Sequence, residues 1–82
     1  MLNITSYYTA MINEVYDLTN EALQESDKTG ETLIKLVELK KFLLIFINQY
    51  NFESKLDKEL INRLIKYINE QIALLEYLKG GD

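Results

Sequence analysis

The sequence predicts an all-α protein folded as an antiparallel up-down-up three-helix bundle, and three observations support this. The 82 residues contain no proline and three glycines, so few of them interrupt a helix. Apolar residues recur in steps of three and four along three stretches, which is the period of one helix face. Two short polar segments separate these stretches, and short connections place consecutive helices side by side in opposite directions. We expect one domain over residues 1–82.

The first helix is predicted over residues 5–26, with Thr5 or Ser6 as its N-cap. Its apolar seam is typical of a coiled-coil-like helix face and consists of Tyr8, Met11, Val15, Leu18 and Ala22. The polar segment ESDKTGET follows. This polar segment, with Gly30 inside it, predicts the turn that ends the first helix, and Thr29 is placed to cap the next helix.

The second helix is predicted over residues 31–50 and is apolar on more than one side. Its main stripe consists of Leu33, Leu36, Val37, Leu39, Leu43, Leu44, Phe46, Ile47 and Tyr50. When residues are placed about 100° apart, Ile34, Phe42 and Ile45 fall outside this stripe. Three interpretations are open: single exposed apolar residues without a role, a middle helix packed on both sides, or a contact surface for another subunit or partner.

The third helix is predicted over residues 55–79. Ser54 and Asp57 have the spacing of a capping box, and Gly80 with Gly81 terminates the helix. Its apolar residues cover about half of the circumference, as expected for a helix that contacts both others.

Two charged features of the first two helices each have two interpretations. Lys40 lies within the main stripe of the second helix, so either its stem packs while the ammonium reaches water, or it is buried and paired with a carboxylate. Glu14, Asp17, Glu21 and Glu25 form an acidic ridge beside the seam of the first helix. The ridge is either a solvated flank that pairs with lysines of the bundle or a docking surface for a basic partner.

Composition argues against several classes of function. Without cysteine or histidine the chain has no disulfide, no thiolate metal site and no Ser/His/Asp or Cys/His set. We expect no enzyme activity, no cofactor, no metal and no small-molecule substrate. The net charge of −4 argues against nucleic acid. The longest apolar run is far shorter than the about 20 residues of a membrane span, and no signal peptide is recognisable, so we expect a cytoplasmic protein.

One resemblance covers two segments. LINRLIKYI, residues 60–68, resembles the start of the third helix in immunity proteins of class IIa bacteriocins, and INEVYDL, residues 12–18, resembles their first helix. Those proteins are cytoplasmic antiparallel four-helix bundles that protect a producer cell from its own pore-forming peptide. The resemblance implies an immunity role as an alternative function. A counterpart of the family's fourth helix and specificity-bearing tail is not among the 82 residues.

A second resemblance concerns LDKELINRLIKYINEQIALLEYL, residues 56–78, which is similar to the last helix of helical chorismate mutases. That family would imply a dianionic substrate held by several arginines and a lysine. Arg63 is the only arginine of this chain, on the polar edge of the helix. Without a cationic pocket the charge of the transition state has no partner, so we do not expect this activity.

We therefore expect a small non-catalytic protein that binds another protein, itself or both. An adaptor, a regulator or an inhibitor carried by a phage or plasmid would fit. Docking of a helix face would supply affinity, and the acidic ridge would supply orientation and association rate. Self-association into a homodimer, and so into a larger helical bundle, is the simplest form. The candidate interface residues are Ile34, Phe42, Ile45, Glu14, Asp17, Glu21 and Glu25.

Overall fold

The computed structural model describes residues 3–80, and every regular element in that range is helical. Helix α1 is Ile4–Gln24, α2 is Thr29–Gln49 and α3 is Lys55–Gly80. A single 3-10 turn, Ser26–Lys28, joins α1 to α2. The three helices pack against one another, so the prediction of an all-α, three-helix protein is confirmed.

Helix α1 begins earlier than predicted because a different residue caps it. The backbone N–H of Ser6 donates to Oδ1 of Asn3 at 3.1 Å, which makes Asn3 the N-cap. Thr5 and Ser6 are therefore helical, and their prediction as caps was wrong. Asparagine is among the strongest N-cap residues, and here it precedes both. The helix ends at Gln24 rather than at residue 26 because the chain tightens into the 3-10 turn.

The chain enters α2 within the predicted polar segment, but Gly30 is not part of the turn. Thr29 and Gly30 are already the first residues of α2, and Lys28 precedes them without a side-chain capping bond. No glycine or other residue of the described range has a positive φ. The polar segment predicted as the turn does contain the connection, a 3-10 turn at Ser26–Lys28, but Thr29 is already helical and does not cap α2, so its prediction as the cap was wrong. A Cβ added at Gly30 would lie 3.6 Å from Nζ of Lys79, so α2 starts beside the end of α3.

Helix α3 begins at the predicted cap. Oγ of Ser54 accepts from the backbone N–H of Leu56 at 3.1 Å and from that of Asp57 at 3.3 Å. These bonds satisfy two of the donors that a helix N-terminus leaves open. The helix runs through Gly80, one residue beyond the prediction, and Gly81 lies outside the described residues.

Helix α3 is the central helix of the bundle. It packs along both α1 and α2, whereas α1 and α2 touch each other much less. Its buried residues are Ile61, Leu64, Ile65, Ile68, Ile72 and Leu75. They meet Val15 and Ala22 of α1 and Leu36 and Leu43 of α2 in one apolar core. The interpretation of α2 as a middle helix was wrong, because α3 is the helix that packs along both of the others.

The main stripe of α2 is buried only along its centre. Leu36 and Leu43 are fully buried, and most of the remaining stripe is half-buried. Leu44 was assigned to this stripe, but it is 42% exposed, so that assignment was wrong. Lys40 is half-buried and forms no ion pair with another residue of 3–80, which agrees with a packed stem whose ammonium reaches water.

We predict that Leu64→Ala destabilises the protein by about 2–5 kcal/mol, because Leu64 is completely buried and its truncation leaves a cavity. The matched control is Leu56→Ala on the same helix, where the residue is 67% exposed. Urea unfolding followed by circular dichroism measures both. Equal losses in the two variants would contradict the assignment of α3 as the core helix.

A second prediction concerns Thr19, which is buried on α1. Its Oγ1 has no hydrogen-bond partner among the described residues. Thr19→Val removes this unsatisfied hydroxyl and keeps the branched shape, so we expect a gain of about 1 kcal/mol in the free energy of unfolding. Thr9→Val, at an exposed position of the same helix, should leave it nearly unchanged. A loss of stability in Thr19→Val would mean that the hydroxyl is hydrogen-bonded after all.

Candidate functional site

Three apolar residues of α2 are exposed on the side away from the core. Ile34, Phe42 and Ile45 are 63%, 54% and 57% exposed, and we call the surface that they form the outer face of α2. On the helical wheel Ile34 and Ile45 lie opposite Leu36 and Leu43, which pack against the rest of the core, and Phe42 lies at one edge of the exposed side, about 100° from Leu43. The sequence assigned all three outside the main stripe, and the structure places them at the surface.

Two charged residues lie between the aliphatic residues of the outer face. Glu38 and Lys41 are both exposed, and neither forms an ion pair with another residue of 3–80. The nearby Lys35 differs, because it forms an ion pair: its Nζ lies 3.4 Å from Oε1 of Glu31 one helical turn away. The outer face therefore presents two opposite charges that the bundle does not neutralise.

A groove of about 280 Å³ runs beside the outer face, between α2 and α3. Its apolar lining comes from Leu33, Ile34 and Val37 of α2. Glu38 and Lys41 border it on α2, and Glu76 borders it on α3. The groove has room for a branched aliphatic side chain and is bordered by charges of both signs.

Phe42 belongs to a row of aromatic rings that the sequence analysis missed. Its ring stacks on Phe46 with centroids 6.1 Å apart, and Phe46 stacks on Tyr50 at 4.8 Å. Phe52, in the connection to α3, meets both Phe46 and Tyr50 edge-on. The four-residue spacing of Phe42, Phe46 and Tyr50 was a readable signal for this contact. Phe42 is therefore exposed and also packs on the aromatic residues at the end of α2 through its contact with Phe46.

The acidic ridge of α1 is exposed along its whole length but divides into two parts. Oε1 of Glu21 and Oε2 of Glu25 each lie 3.3 Å from Nζ of Lys28, so Lys28 pairs with both residues of the C-terminal part and compensates one of their two negative charges. Glu14 and Asp17 form no ion pair with another residue of 3–80. The ridge and the outer face lie on the two helices that contact each other least. The structure thus does not join the predicted site residues into one surface.

A larger cavity of about 600 Å³ lies at one end of the bundle. Ala22 of α1, Thr29 and Gly30 of α2, and Leu75 and Leu78 of α3 line it. The end of α1, the start of α2 and the end of α3 therefore meet here.

Two absences hold for the part of the chain that the structure describes. Between residues 3 and 80 there is no cluster of three or more acidic, histidine or cysteine residues that could hold a metal ion. No helix among the same residues is long and apolar enough to cross a membrane.

Comparison with known protein families, with curated proteins and with solved structures finds no match for this chain. The two resemblances seen in the sequence therefore stay hypotheses. In the segment that resembles immunity proteins, Ile61, Leu64, Ile65 and Ile68 are buried, so core packing accounts for its apolar pattern. Arg63, the residue that matters most for the resemblance to chorismate mutases, is exposed.

Among residues 3–80, three ionisable groups have a raised pKa, and all three titrate in the alkaline range. Burial raises the pKa of Tyr7 above its ordinary value of 10.0. Burial also raises the pKa of Tyr67, with smaller contributions from Tyr16 and Glu70. Hydrogen bonds to Glu25 and Glu21, followed by the charges of these two residues, raise the pKa of Lys28. The folded protein therefore holds protons on these groups more tightly than the unfolded chain does.

We predict that stability falls as the pH rises through and above about 10. A raised pKa in the folded state contributes stability that is complete below the unfolded pKa and disappears above the folded pKa. Thermal unfolding at pH 8, 10 and 11 measures this change, and a Tyr7→Phe, Tyr67→Phe double variant should lose less stability over the same interval. A melting temperature that rises between pH 8 and 11 would contradict the assigned directions.

Proposed function

We propose that the protein is a small non-catalytic protein–protein interaction protein that acts by docking the outer face of α2. The observation that carries this proposal is the exposure of more than half of each of Ile34, Phe42 and Ile45 on one side of a well-packed helix. Single exposed apolar residues are common on protein surfaces. Aliphatic and aromatic residues clustered beside a groove are typical of a surface that binds protein.

The geometry of this face suits side-chain docking. Ile34 and Ile45 are aliphatic anchors that gain about 25 cal/mol for each Å² of apolar surface removed from water. The side chain of Phe42 is already restricted by its stacking on Phe46, so docking would cost little further side-chain entropy at that position. The adjacent groove of about 280 Å³ can receive an aliphatic side chain of the partner.

The proposed topology explains why α2 has an open side. We infer an antiparallel up-down-up bundle, because Ala22 at the end of α1, Thr29 at the start of α2 and Leu75 near the end of α3 line the same cavity. In that arrangement α1 and α3 run in the same direction and α2 runs against them. Since α2 packs mainly on α3, its other side is available for a partner. Two bundles joined through α2 would form a dimeric, larger helical bundle.

The charges support a role in orientation rather than affinity. Glu14 and Asp17 are exposed and without an ion pair in the described range, and the whole chain has a net charge of −4. Such a field speeds the approach of a basic surface and disfavours an acidic one. An adaptor, a regulator or an inhibitor of another cytoplasmic protein would use the α2 face for binding and the acidic part of α1 for steering.

We predict that Ile45→Asp removes the capacity of the immobilised protein to retain binding partners, its own chain included. An aspartate at this position of the outer face would bury an unpaired charge on docking. The measurement is a pull-down from an extract of the source cells supplemented with the free wild-type chain, with helicity checked by circular dichroism. Ile45 is the better target because a change at Phe42 also disturbs its contact with Phe46.

The matched control for this experiment is Leu56→Asp. Leu56 is another exposed aliphatic residue, it lies in the first turn of α3, and its replacement changes the net charge by the same amount. Partners retained by Leu56→Asp and lost by Ile45→Asp would support the proposal. The same set of bound proteins on both variants would contradict it.

A further inference from the structure

The outer face of α2 has a spacing of residues that is the same from both ends, with an isoleucine at each end and charges of opposite sign between them. Ile34, Glu38, Lys41 and Ile45 follow one another in steps of four, three and four. These are the alternating steps of a coiled-coil seam, and the four residues lie within about 60° on the helical wheel. From its N-terminal end the seam begins with Ile34 and Glu38. From its C-terminal end it begins with Ile45 and Lys41, so an isoleucine is followed by a charge in both directions and the two charges have opposite sign.

This order matches a two-fold axis between residues 39 and 40. If a second copy of α2 lies antiparallel across the seam, Ile34 faces Ile45 of the second copy. Glu38 then faces Lys41 of the second copy. Symmetry repeats each contact, so two isoleucine contacts flank two ion pairs of opposite charge. The seam is therefore complementary to itself in charge and in shape.

The charges disfavour the other orientation. A parallel pairing in register would set Glu38 against Glu38 and Lys41 against Lys41, and like charges placed opposite each other at an interface are costly. In the bundle itself neither residue forms an ion pair within 3–80, so both are available.

The groove between α2 and α3 can receive a side chain of the second copy. It lies beside Ile34, so the antiparallel arrangement brings Ile45 of the second copy to its apolar lining of Leu33 and Val37. Lys41 of the second copy would approach Glu38 and Glu76, which border the groove. Because the axis is two-fold, both grooves are filled at once.

We propose that the partner of the outer face is a second copy of this chain, paired α2 to α2 and antiparallel about an axis between residues 39 and 40. This inference rests on the proposed function, since it names the partner of the same surface. A foreign partner would not require the seam of α2 to be complementary to itself.

Disulfide cross-linking tests the register directly, because the chain contains no cysteine of its own. We expect a mixture of Ile34→Cys and Ile45→Cys to form a covalent dimer under mild oxidation, and each variant alone to form almost none. In the proposed register the two copies of residue 34 lie about 16 Å apart along the helices. A disulfide spans a Cα separation of about 7 Å at most.

The control for oxidation by chance is a mixture of Ile34→Cys and Leu56→Cys, which places the second cysteine on an exposed site of α3. Cross-linking of this mixture at the level of the first would overturn the inference. Cross-linking of each variant with itself would also overturn it and would indicate a parallel pairing. No cross-link in any mixture, with a wild-type mass of one chain by light scattering, would overturn self-association altogether.

Charge reversal tests the ion pairs independently. Glu38→Lys and Lys41→Glu should each weaken the dimer about tenfold or more, because each places like charges across the axis. The double variant exchanges the two charges and should restore the wild-type dissociation constant. Glu59→Lys, at an exposed position of α3, is the control for a general effect of charge. Unchanged dissociation constants in both single variants, or no restoration in the double variant, would overturn the proposed register.

The outcomes separate this inference from the proposed function. A monomeric wild-type protein whose capture of a different protein is abolished by Ile45→Asp would overturn the second copy as partner and retain α2 as a docking face. A pull-down that Ile45→Asp leaves unchanged would overturn the docking face, and the antiparallel dimer with it.

Discussion

The structure depends on one constraint, the burial of the apolar face of α3 from two sides. The residues of this face that pack in the core extend from Tyr67 and Leu60 at one edge to Ile65 at the other, about 160° of the helical wheel. Both other helices therefore pack on α3, and α1 and α2 contact each other much less. A chain of this size buries a modest share of its surface, so a single well-packed helix at the centre provides most of the available hydrophobic stabilisation. The resulting shape is long and narrow, with extents of 45 × 19 × 16 Å.

The surface of α2 follows from that arrangement. A helix covered on one side by α3 has no place in the core for apolar residues on its other side, and Ile34, Phe42 and Ile45 stand there. Such exposure is costly for a monomer, since apolar surface in water is unfavourable and invites association. The charges at Glu38 and Lys41 interrupt the apolar surface and restrict which registers of association are favourable. In the proposed docking, the outer face would therefore supply both affinity and a means of selecting the partner.

The ends of the helices are held by local interactions that leave this face unobstructed. Ser54 caps α3, and Phe46, Tyr50 and Phe52 pack around the connection before it. At the opposite connection, Lys28 holds Glu21 and Glu25 beside the 3-10 turn. These exposed ion pairs contribute little to stability. Their effect is to fix the electrostatic character of the ridge, which keeps most of its uncompensated negative charge toward the middle of α1.

The sequence by itself determined the helices, the cap at Ser54 and the position of Ile34, Phe42 and Ile45 outside the main stripe, because each depends on residue type and on a period of 3.6 along one helix. The exposure of these three residues was decided by the tertiary structure, which leaves them outside the core. Tertiary structure decided which helix is central, because the packing of helices depends on matching faces between distant segments rather than on any one face. It also decided that Leu44 is exposed while Lys40 is half-buried, since α3 covers a narrower strip of α2 than the apolar pattern suggested. The entry into α2 could not be read locally, because a 3-10 turn and a glycine turn join helices through equally short segments. The pairing of Lys28 with the ridge likewise required the turn to bring residues seven apart together.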